Sequence, residues 1–151
     1  MKPLPHNYEV ALTGAPSGYA TATGFGLPDL TTAPPAEYDG PGDAWSPEHL
    51  LLAAVSACFV FTFRAVARAS QVEFIDIDAR TSGTVGRSEG TTRFTDIVVH
   101  AAVTPAAGVD AAAVQRAVDK TAARCLVTSS LLTPVRVEAT IRDAATAGVA
   151  A

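Results

Sequence analysis

The sequence has few positive charges, and these are spread along the chain. It contains 11 Lys or Arg residues against 15 Asp or Glu, and its net charge is −4 at pH 7. Because no run of basic residues occurs, neither a nucleic acid nor an anionic membrane is an expected partner. Between Lys2 and Arg64 there is no Lys or Arg. A group in this segment that needs such a cation must therefore find it elsewhere.

Two further features are missing. The N-terminus lacks the apolar run of a secretory signal peptide, so the protein is expected in the cytoplasm. No internal repeat and no low-complexity block occurs, and 48% apolar with 17% charged residues is typical of a globular protein. We therefore predict a single domain over residues 1–151, with a core at 6–142 and a flexible tail at 143–151.

Cysteine is also scarce. The chain has two, Cys58 and Cys125. In a reducing compartment such a pair is more often free or redox-active than a permanent disulfide. Their spacing matches no zinc pattern, and the three His residues have no metal-ligand spacing to one another or to either cysteine. We therefore predict no bound metal and no cofactor.

The most apolar segment of the chain is residues 46–70. Ser46 can cap a helix, Pro47 suits its first position, and Glu48 favours the positive end of the helix dipole. Across residues 50–63 apolar side chains cover nearly the whole circumference, which predicts a buried helix. This stretch is shorter than the roughly 20 residues that span a bilayer. One of the two cysteines lies in its middle.

The remaining elements are predicted from alternation, helical spacing and turn residues. They are a hairpin of strands at 6–13 and 19–25, an extended loop at 27–45, a wide hairpin of strands at 71–86 and 94–103, helices at 110–124 and 126–131, and a strand at 134–142. This order of elements predicts an α+β fold with antiparallel sheets.

Three sequence motifs occur together in this chain. Residues 40–58 read Gly-Pro-Gly-Asp-Ala-Trp-Ser-Pro-Glu-His-Leu-Leu-Leu-Ala-Ala-Val-Ser-Ala-Cys, residues 93–98 read Arg-Phe-Thr-Asp-Ile-Val, and Cys125 follows the second long helix. In this combination the chain resembles the OsmC/Ohr family, the osmotically induced and organic-hydroperoxide-resistance thiol peroxidases. The resemblance covers roughly residues 6–142. Its specific part is the Pro-Glu-x-Leu segment ahead of a helix cysteine, with a second cysteine late in the chain.

The resemblance implies a fold, an activity and three site residues. The fold is an OsmC-like intertwined homodimer, in which antiparallel sheets wrap around long buried central helices. Cys58 would be the peroxidatic thiol, Cys125 the resolving thiol and Glu48 the active-site carboxylate. An organic hydroperoxide would oxidise Cys58 to a sulfenic acid, and Cys125 would then close an intramolecular disulfide. A dithiol reductant, lipoyl-type in the best-known members, would reduce it.

One feature of the family is missing. In the hydroperoxide-resistance branch an N-terminal Arg activates the peroxidatic thiol, and it has no counterpart here. Because burial raises the pKa of a thiol, we expect Cys58 to be less activated than in members that carry the Arg. Its reactivity should then climb with pH toward the ordinary thiol pKa of about 8.5. Arg64, Arg124 or a residue of the partner subunit are the cations that could compensate.

Glu48 and Cys58 lie ten residues apart on one predicted helix. At a rise of about 1.5 Å per residue they are separated by about 15 Å along the axis. A carboxylate cannot reach a thiol across that gap. Glu48 is therefore expected to serve the Cys58 of the partner subunit.

Other interpretations of these residues stay open. Cys58 and Cys125 are each compatible with an inert buried residue, and Glu48 with a partner of the helix dipole. The second function considered is a non-catalytic OsmC-like protein that binds an apolar small molecule at the dimer interface. For the flanking residues, we expect His49 to face solvent, Trp45 to pack against the helix start and Arg93 to make a surface or cross-strand pair.

Overall fold

The computed structural model describes residues 3–143. Two compact units are present, of which the first ends at Leu51 and the second begins at Leu52. Residues 144–151, which hold nearly all of the predicted tail, lie outside the described part of the chain. The prediction of one domain over residues 1–151 stays a prediction.

The N-terminal unit is built on a three-stranded antiparallel sheet. Its strands are β1 (Ala11–Gly14), β2 (Ala20–Thr23) and β3 (Leu30–Thr32), followed by a short 3₁₀ helix at Ala36–Tyr38. The predicted hairpin is confirmed, although its strands are shorter than expected. The loop predicted at 27–45 is wrong in part, because β3 lies inside it and pairs with β2. Three residues are too few for an alternation to be recognised in a sequence.

Helix α1 (Pro47–Ala69) begins where the sequence predicts. The Ser46 hydroxyl accepts the backbone N–H of His49 at 3.3 Å, which is the hydrogen bond of an N-cap. Trp45 packs edge-on against the His49 ring, with ring centroids 6.4 Å apart. The first turn of α1 is therefore held by both a capping hydroxyl and an aromatic contact.

One side of α1 is buried and the opposite side is exposed. The buried side consists of Val55, Phe59, Phe63, Val66 and Ala67. On the other side Phe61 is 62% exposed. The small residues Ala54, Ala57 and Ala65 are exposed beside it. The prediction that this helix is buried all round is therefore not met within one chain.

Helix α1 is also long and apolar enough to cross a membrane by length and composition, and only 28% of its apolar 18-residue stretch is buried. Residues 50–63 alone are too few to span a bilayer, whereas the whole helix has 23 residues. Core helices of globular proteins meet the same criterion, because they too are long and apolar. The buried side of α1 packs into the core described below, as a core helix does.

The C-terminal unit contains a second three-stranded sheet, made of β4 (Phe74–Ser88), β5 (Thr91–Pro105) and β6 (Val135–Ile141). Strands β4 and β5 form the predicted wide hairpin. The turn is tighter than expected, since it consists of Glu89 and Gly90 alone, both with positive φ. A two-residue turn of this kind matches the twist of the strands it joins.

The irregular alternation at the start of β4 has a structural cause. The register shifts between Phe74 and Asp76, so that Ile75 bulges outward and is 56% exposed. Phe74 thereby packs against the core, where its ring meets that of Phe63 with centroids 5.1 Å apart. The break that Phe74 makes in the sequence pattern is thus a β-bulge.

Strand β6 runs parallel to β5, with residues 135–141 opposite residues 97–103. The α+β class is confirmed, but the expectation of wholly antiparallel sheets is wrong for this strand. The reason is the connection, because α2 (Ala111–Ala122) and α3 (Leu126–Ser129) form a crossover that returns the chain to the same end of the sheet. Helix α2 is capped as predicted, since the Asp110 carboxylate accepts the Ala112 N–H at 3.1 Å.

The core of the C-terminal unit lies between α1, α2 and one face of the second sheet. Its fully buried members include Phe59 and Phe63 of α1, Val99 and Val103 of β5, and Val114 and Val118 of α2. The hydroxyls of Ser56 and Thr81, hydrogen-bonded at 2.6 Å, add a polar link between α1 and β4. These contacts fix the rotation of α1 and hence the position of Cys58.

Candidate functional site

Cys58 and Cys125 meet inside the C-terminal unit. Cys58 lies near the middle of α1 and is half-buried, while Cys125 is fully buried and immediately precedes α3. Both are free thiols, and each is among the neighbouring groups that shift the pKa of the other, so the two side chains are neighbours. The structure thus brings together the two predicted thiols, which are far apart in sequence.

Several hydrogen-bond donors are directed at the sulfur of Cys58. The backbone N–H of Val127 donates to Cys58 Sγ at 3.5 Å. The Leu126 N–H, the Cys125 thiol and the Thr62 hydroxyl complete the set, with Thr62 Oγ1 3.9 Å from Sγ. Thr62 lies one helical turn after Cys58, whereas the other three donors surround the start of α3.

These donors favour the ionised form of Cys58. Burial is the largest single influence on this thiol and by itself raises its pKa. The hydrogen bonds, led by that from Val127, together outweigh burial, so the pKa of Cys58 is lowered from the ordinary thiol value. Cys58 is therefore the thiol of the pair that ionises first.

Cys125 has the opposite tendency. Burial raises the pKa of its thiol, hydrogen bonds from Thr128 offset part of this, and the neighbouring Cys58 raises it further. The Cys125 carbonyl accepts the hydroxyls of Thr128 at 3.0 Å and Ser129 at 2.9 Å, which hold the residue at the first turn of α3. The pair thus consists of one nucleophilic sulfur and one neutral thiol beside it.

The expectation that burial dominates the acidity of Cys58 is wrong, because backbone N–H groups and neighbouring hydroxyl and thiol groups together outweigh it. That Cys58 is less activated than the thiol of members that carry the N-terminal Arg stays a prediction. Within residues 3–143, neither Arg64 nor Arg124 is among the groups that lower this pKa. Arg64 instead lies over the Phe61 ring, 5.4 Å from its centroid. Hydrogen bonds to the Cys58 sulfur therefore lower its pKa without a neighbouring Lys or Arg among residues 3–143.

Glu48, the third predicted site residue, lies in the N-terminal unit, in the first turn of α1. Because α1 is continuous over both positions, Glu48 and Cys58 are about 15 Å apart along the axis. The Oε2 atom of Glu48 is buried and has no hydrogen-bond partner among residues 3–143. One chain alone does not bring this carboxylate to the thiol pair.

The flanking residues lie as the sequence predicts. His49 is exposed, and its Nδ1 is hydrogen-bonded to the Ser46 hydroxyl at 2.9 Å. Arg93 pairs with Glu89 at 3.3 Å and donates to the Ser88 hydroxyl at 2.8 Å. These interactions order the start of α1 and the turn between β4 and β5.

Sequence reasoning missed Thr62 and the two backbone donors of α3. Thr62 does carry a signal, because it lies four positions after Cys58 and therefore on the same face of the helix. Val127 and Leu126 contribute only N–H groups, which no side-chain pattern reveals. The available signal was the short helix predicted directly after Cys125, since unpaired N–H groups occur at helix starts.

The chain is thus an α+β protein that carries two adjacent thiols of unequal acidity. One of these thiols lies on its long apolar helix. The family model described as OsmC-like protein matches residues 40–140 of the chain. This stretch holds all three predicted site residues and most of the described fold. The chain belongs to the OsmC-like family.

Solved structures show the same fold. The OsmC-like protein of Mycoplasma pneumoniae aligns with a TM-score of 0.78 and 16% identity, over 91% of this chain and 99% of that one. An organic hydroperoxide resistance protein OsmC from Legionella pneumophila aligns with a TM-score of 0.73 and 23% identity, over 92% and 98% of the two chains. The OsmC-like fold predicted from the sequence is thereby confirmed.

Among curated proteins, the uncharacterized protein YmaD of Bacillus subtilis is 31% identical to this chain over 64 residues. That stretch is 42% of this chain and 43% of YmaD, so the similarity spans less than half of either protein.

Proposed function

We propose that the protein is a thiol-dependent peroxidase of organic hydroperoxides, with Cys58 as the peroxidatic and Cys125 as the resolving residue. The observation that carries this proposal is the close approach of two thiols whose pKa values shift in opposite directions. A thiolate must attack the peroxide, and a second thiol must then meet the sulfenic acid. The name of the Legionella pneumophila relative, an organic hydroperoxide resistance protein, supports the same substrate class.

The proposed reaction has three balanced steps. The Cys58 thiolate attacks the distal oxygen of R–O–OH, the O–O bond breaks, and the alkoxide leaves and takes up a proton to become ROH. The Cys125 sulfur then attacks the sulfenic acid sulfur of Cys58, which forms the disulfide and releases water. A dithiol reductant, of lipoyl type, supplies two electrons and two protons by thiol–disulfide exchange and restores both thiols.

We also propose that the working unit is a homodimer that covers the exposed side of α1. The apolar residues Ala54, Ala57, Phe61 and Ala65 recur at helical spacing and are all exposed in one chain, so they form one continuous strip. Three of the four are Ala, whose small side chain allows a second helix to approach closely. Burial of Phe61 and its neighbours by a second copy would supply the hydrophobic driving force.

In this dimer Glu48 would serve the Cys58 of the partner subunit. The separation along α1 rules out its own Cys58, and the unpaired Oε2 atom leaves the carboxylate available.

We place the protein in the cytoplasm, where reducing conditions keep both thiols free between turnovers.

Intact-mass measurement after one equivalent of cumene hydroperoxide tests the thiol chemistry. The wild-type chain should lose two hydrogens and run as a monomer on a non-reducing denaturing gel, because the disulfide lies within one chain. Cys58→Ser should show no change at this dose. Cys125→Ser should gain one oxygen at Cys58, since no resolving thiol remains to form the disulfide.

Thr140→Val is the control, because it alters an exposed hydroxyl of β6, a strand that carries neither thiol. This variant should lose two hydrogens as the wild type does. An unchanged wild-type mass, or the slow addition of two or three oxygens at Cys58 without a disulfide, would contradict the proposal. Either outcome would favour the non-catalytic ligand-binding function instead.

A further inference from the structure

A groove of about 290 Å³ lies between the end of α1 and helix α2, within the C-terminal unit. This volume is at the lower edge of the range of small-molecule sites, about 300–1,000 Å³, so the groove suits a compact ligand. Its apolar residues are Ala69, Val72, Ala113 and Ala117, of which Val72 and Ala117 are buried. Its polar residues are Ser70, Arg116 and Lys120, which are all exposed. The α1–α2 groove therefore has an apolar floor and a polar rim that carries two cations.

Arg116 and Lys120 lack a counter-charge. Neither forms an ion pair with any of residues 3–143. They lie four positions apart on α2, where side chains of like charge repel each other. The carboxylate of α2, that of Asp119, instead accepts the side-chain N–H of Gln115 at 2.9 Å. Two unpaired positive groups thus line the same groove.

The end of α1 does not account for these two cations. Lys and Arg often donate to the last carbonyls of a helix, because those carbonyls have no partner inside it. Here the Ala67 carbonyl accepts the Val72 N–H at 2.9 Å, and the carbonyls of Val66 and Arg68 also accept backbone N–H groups. Three of the last four carbonyls of α1 are therefore satisfied by the backbone.

Positive charge is concentrated in the helices around the groove. Residues 52–72 and 111–133 together hold five Lys or Arg and one Asp or Glu. This part of the chain thus has a surplus of four positive charges, although the net charge of the whole chain is −4. A local surplus of this kind raises the concentration of anions near the surface.

We propose that the α1–α2 groove binds an organic phosphate. The phosphate group lies between Arg116, Lys120 and the hydroxyl of Ser70. A compact apolar body lies against Val72 and Ala117. A phosphate monoester carries about 1.5–2 negative charges at pH 7 and has three acceptor oxygens, one for each of the three donors. A carboxylate has a single charge and two oxygens, and therefore matches this rim less well.

Arg and Lys contribute in different ways to such a site. The planar guanidinium of Arg116 can donate to two phosphate oxygens at once, whereas the Lys120 ammonium acts as a point charge. Because the groove contains neither Cys58 nor Cys125, binding there needs no thiol. The inference thus goes beyond the peroxidase function proposed above.

The probe is phenyl phosphate, titrated at pH 7.5 into the reduced wild-type protein while amide shifts are followed. Concentrations up to about 10 mM cover millimolar dissociation constants. Shifts should be largest at Ser70, Val72 and Lys120. Phenyl sulfate keeps the ring and three terminal oxygens but carries one charge, so it should bind about threefold or more weakly. Phenol should not bind, and inorganic phosphate should bind more weakly because it lacks the apolar body.

Three substitutions locate the site. Arg116→Gln and Lys120→Gln should each weaken the binding of phenyl phosphate about threefold or more, because each removes a charged donor from the rim. Arg124→Gln is the matched control, since it removes the same charge from the same positive region at an exposed residue that does not line the groove. This control should bind phenyl phosphate as the wild type does.

Equal affinities for phenyl phosphate and phenol, or unchanged affinities in Arg116→Gln and Lys120→Gln, would overturn the inference. An equal loss in Arg124→Gln would overturn it too, because a diffuse positive field and not the groove would then hold the anion. Equal binding of inorganic phosphate would refute the apolar part of the site. Lack of binding by protein with a folded amide spectrum would refute the whole of it. None of these outcomes bears on the disulfide assay, which measures only the thiols.

Discussion

Replacing Thr62 with Val removes one donor from the Cys58 sulfur and keeps the size and branching of the side chain. The hydroxyl of Thr62 is one of the groups that lower the pKa of Cys58. Without it, the pKa should rise toward the ordinary thiol value. The fraction of Cys58 present as thiolate below its pKa should fall.

The size of the effect follows from the geometry. Thr62 Oγ1 lies 3.9 Å from Cys58 Sγ, whereas the Val127 nitrogen lies at 3.5 Å, so the hydroxyl is the weaker donor. A hydrogen bond contributes about 0.5–1.5 kcal/mol net, and the long distance places this one at the lower end. Because about 1.4 kcal/mol corresponds to a factor of ten, the thiolate fraction should fall roughly two- to threefold.

Alkylation of Cys58 by iodoacetamide, followed by peptide mass spectrometry from pH 5 to pH 9, measures this fraction. Only the thiolate reacts, so the rate should rise with pH and level off once Cys58 is ionised. With a lowered pKa, the wild-type rate should level off before the ordinary thiol range near about 8.5. The Thr62→Val curve should lie at higher pH and reach a similar plateau.

Thr140→Val is the control for the loss of a threonine hydroxyl, because Thr140 is exposed on β6. Its curve should coincide with that of the wild type. The reasoning fails if Thr62→Val also coincides with the wild type. It fails equally if the wild-type rate keeps climbing through the ordinary thiol range, since burial would then dominate after all.

Three further predictions concern assembly, stability and substrate. Light scattering should give a wild-type dimer near twice 15.5 kDa, and Phe61→Asp should shift it toward monomer; a stable wild-type monomer would contradict the proposed interface. Phe59→Ala should lower the free energy of unfolding, measured by urea titration, by about 3–5 kcal/mol, because the Phe59 side chain is fully buried. A loss of stability well below this range would refute the place of Phe59 in the core. The single-turnover oxidation of Cys58 should be faster with cumene hydroperoxide than with hydrogen peroxide, and the reverse order would argue against an apolar substrate.

The elements that could be predicted have local signals. Helix α1 combines a capping residue at Ser46 with a first-position proline, and β6 alternates strictly from Val135 to Ile141. The direction of β6 could not be predicted, because strand alternation is the same in parallel and antiparallel pairs. Strand β3 escaped notice for a different reason, since three residues carry too little pattern.

The side chains of the site could be predicted from the sequence, whereas the backbone N–H groups that contact Cys58 could not. Cys58 and Cys125 were identified together through the family resemblance, and the structure places them in reach of each other. The direction of the Cys58 pKa shift could not be predicted from side chains, because the N–H of Val127 contributes to it and any residue other than proline would supply that group. Such a contribution exists only once α3 has been positioned by the fold.

The unequal lengths of the strands in the second sheet have a consequence for the backbone. Strands β4 and β5 each have 15 residues, yet β6 pairs with β5 only over residues 97–103. Before Ile97, β5 has β4 as its one strand neighbour within the described chain, so its outward N–H groups must bond to water or to another chain. In deuterated water the amides on that edge should exchange quickly in a separated chain and slowly once another strand is added there. Hydrogen exchange at the end of this hairpin would therefore report assembly through backbone amides alone, whatever the oxidation state of the thiols.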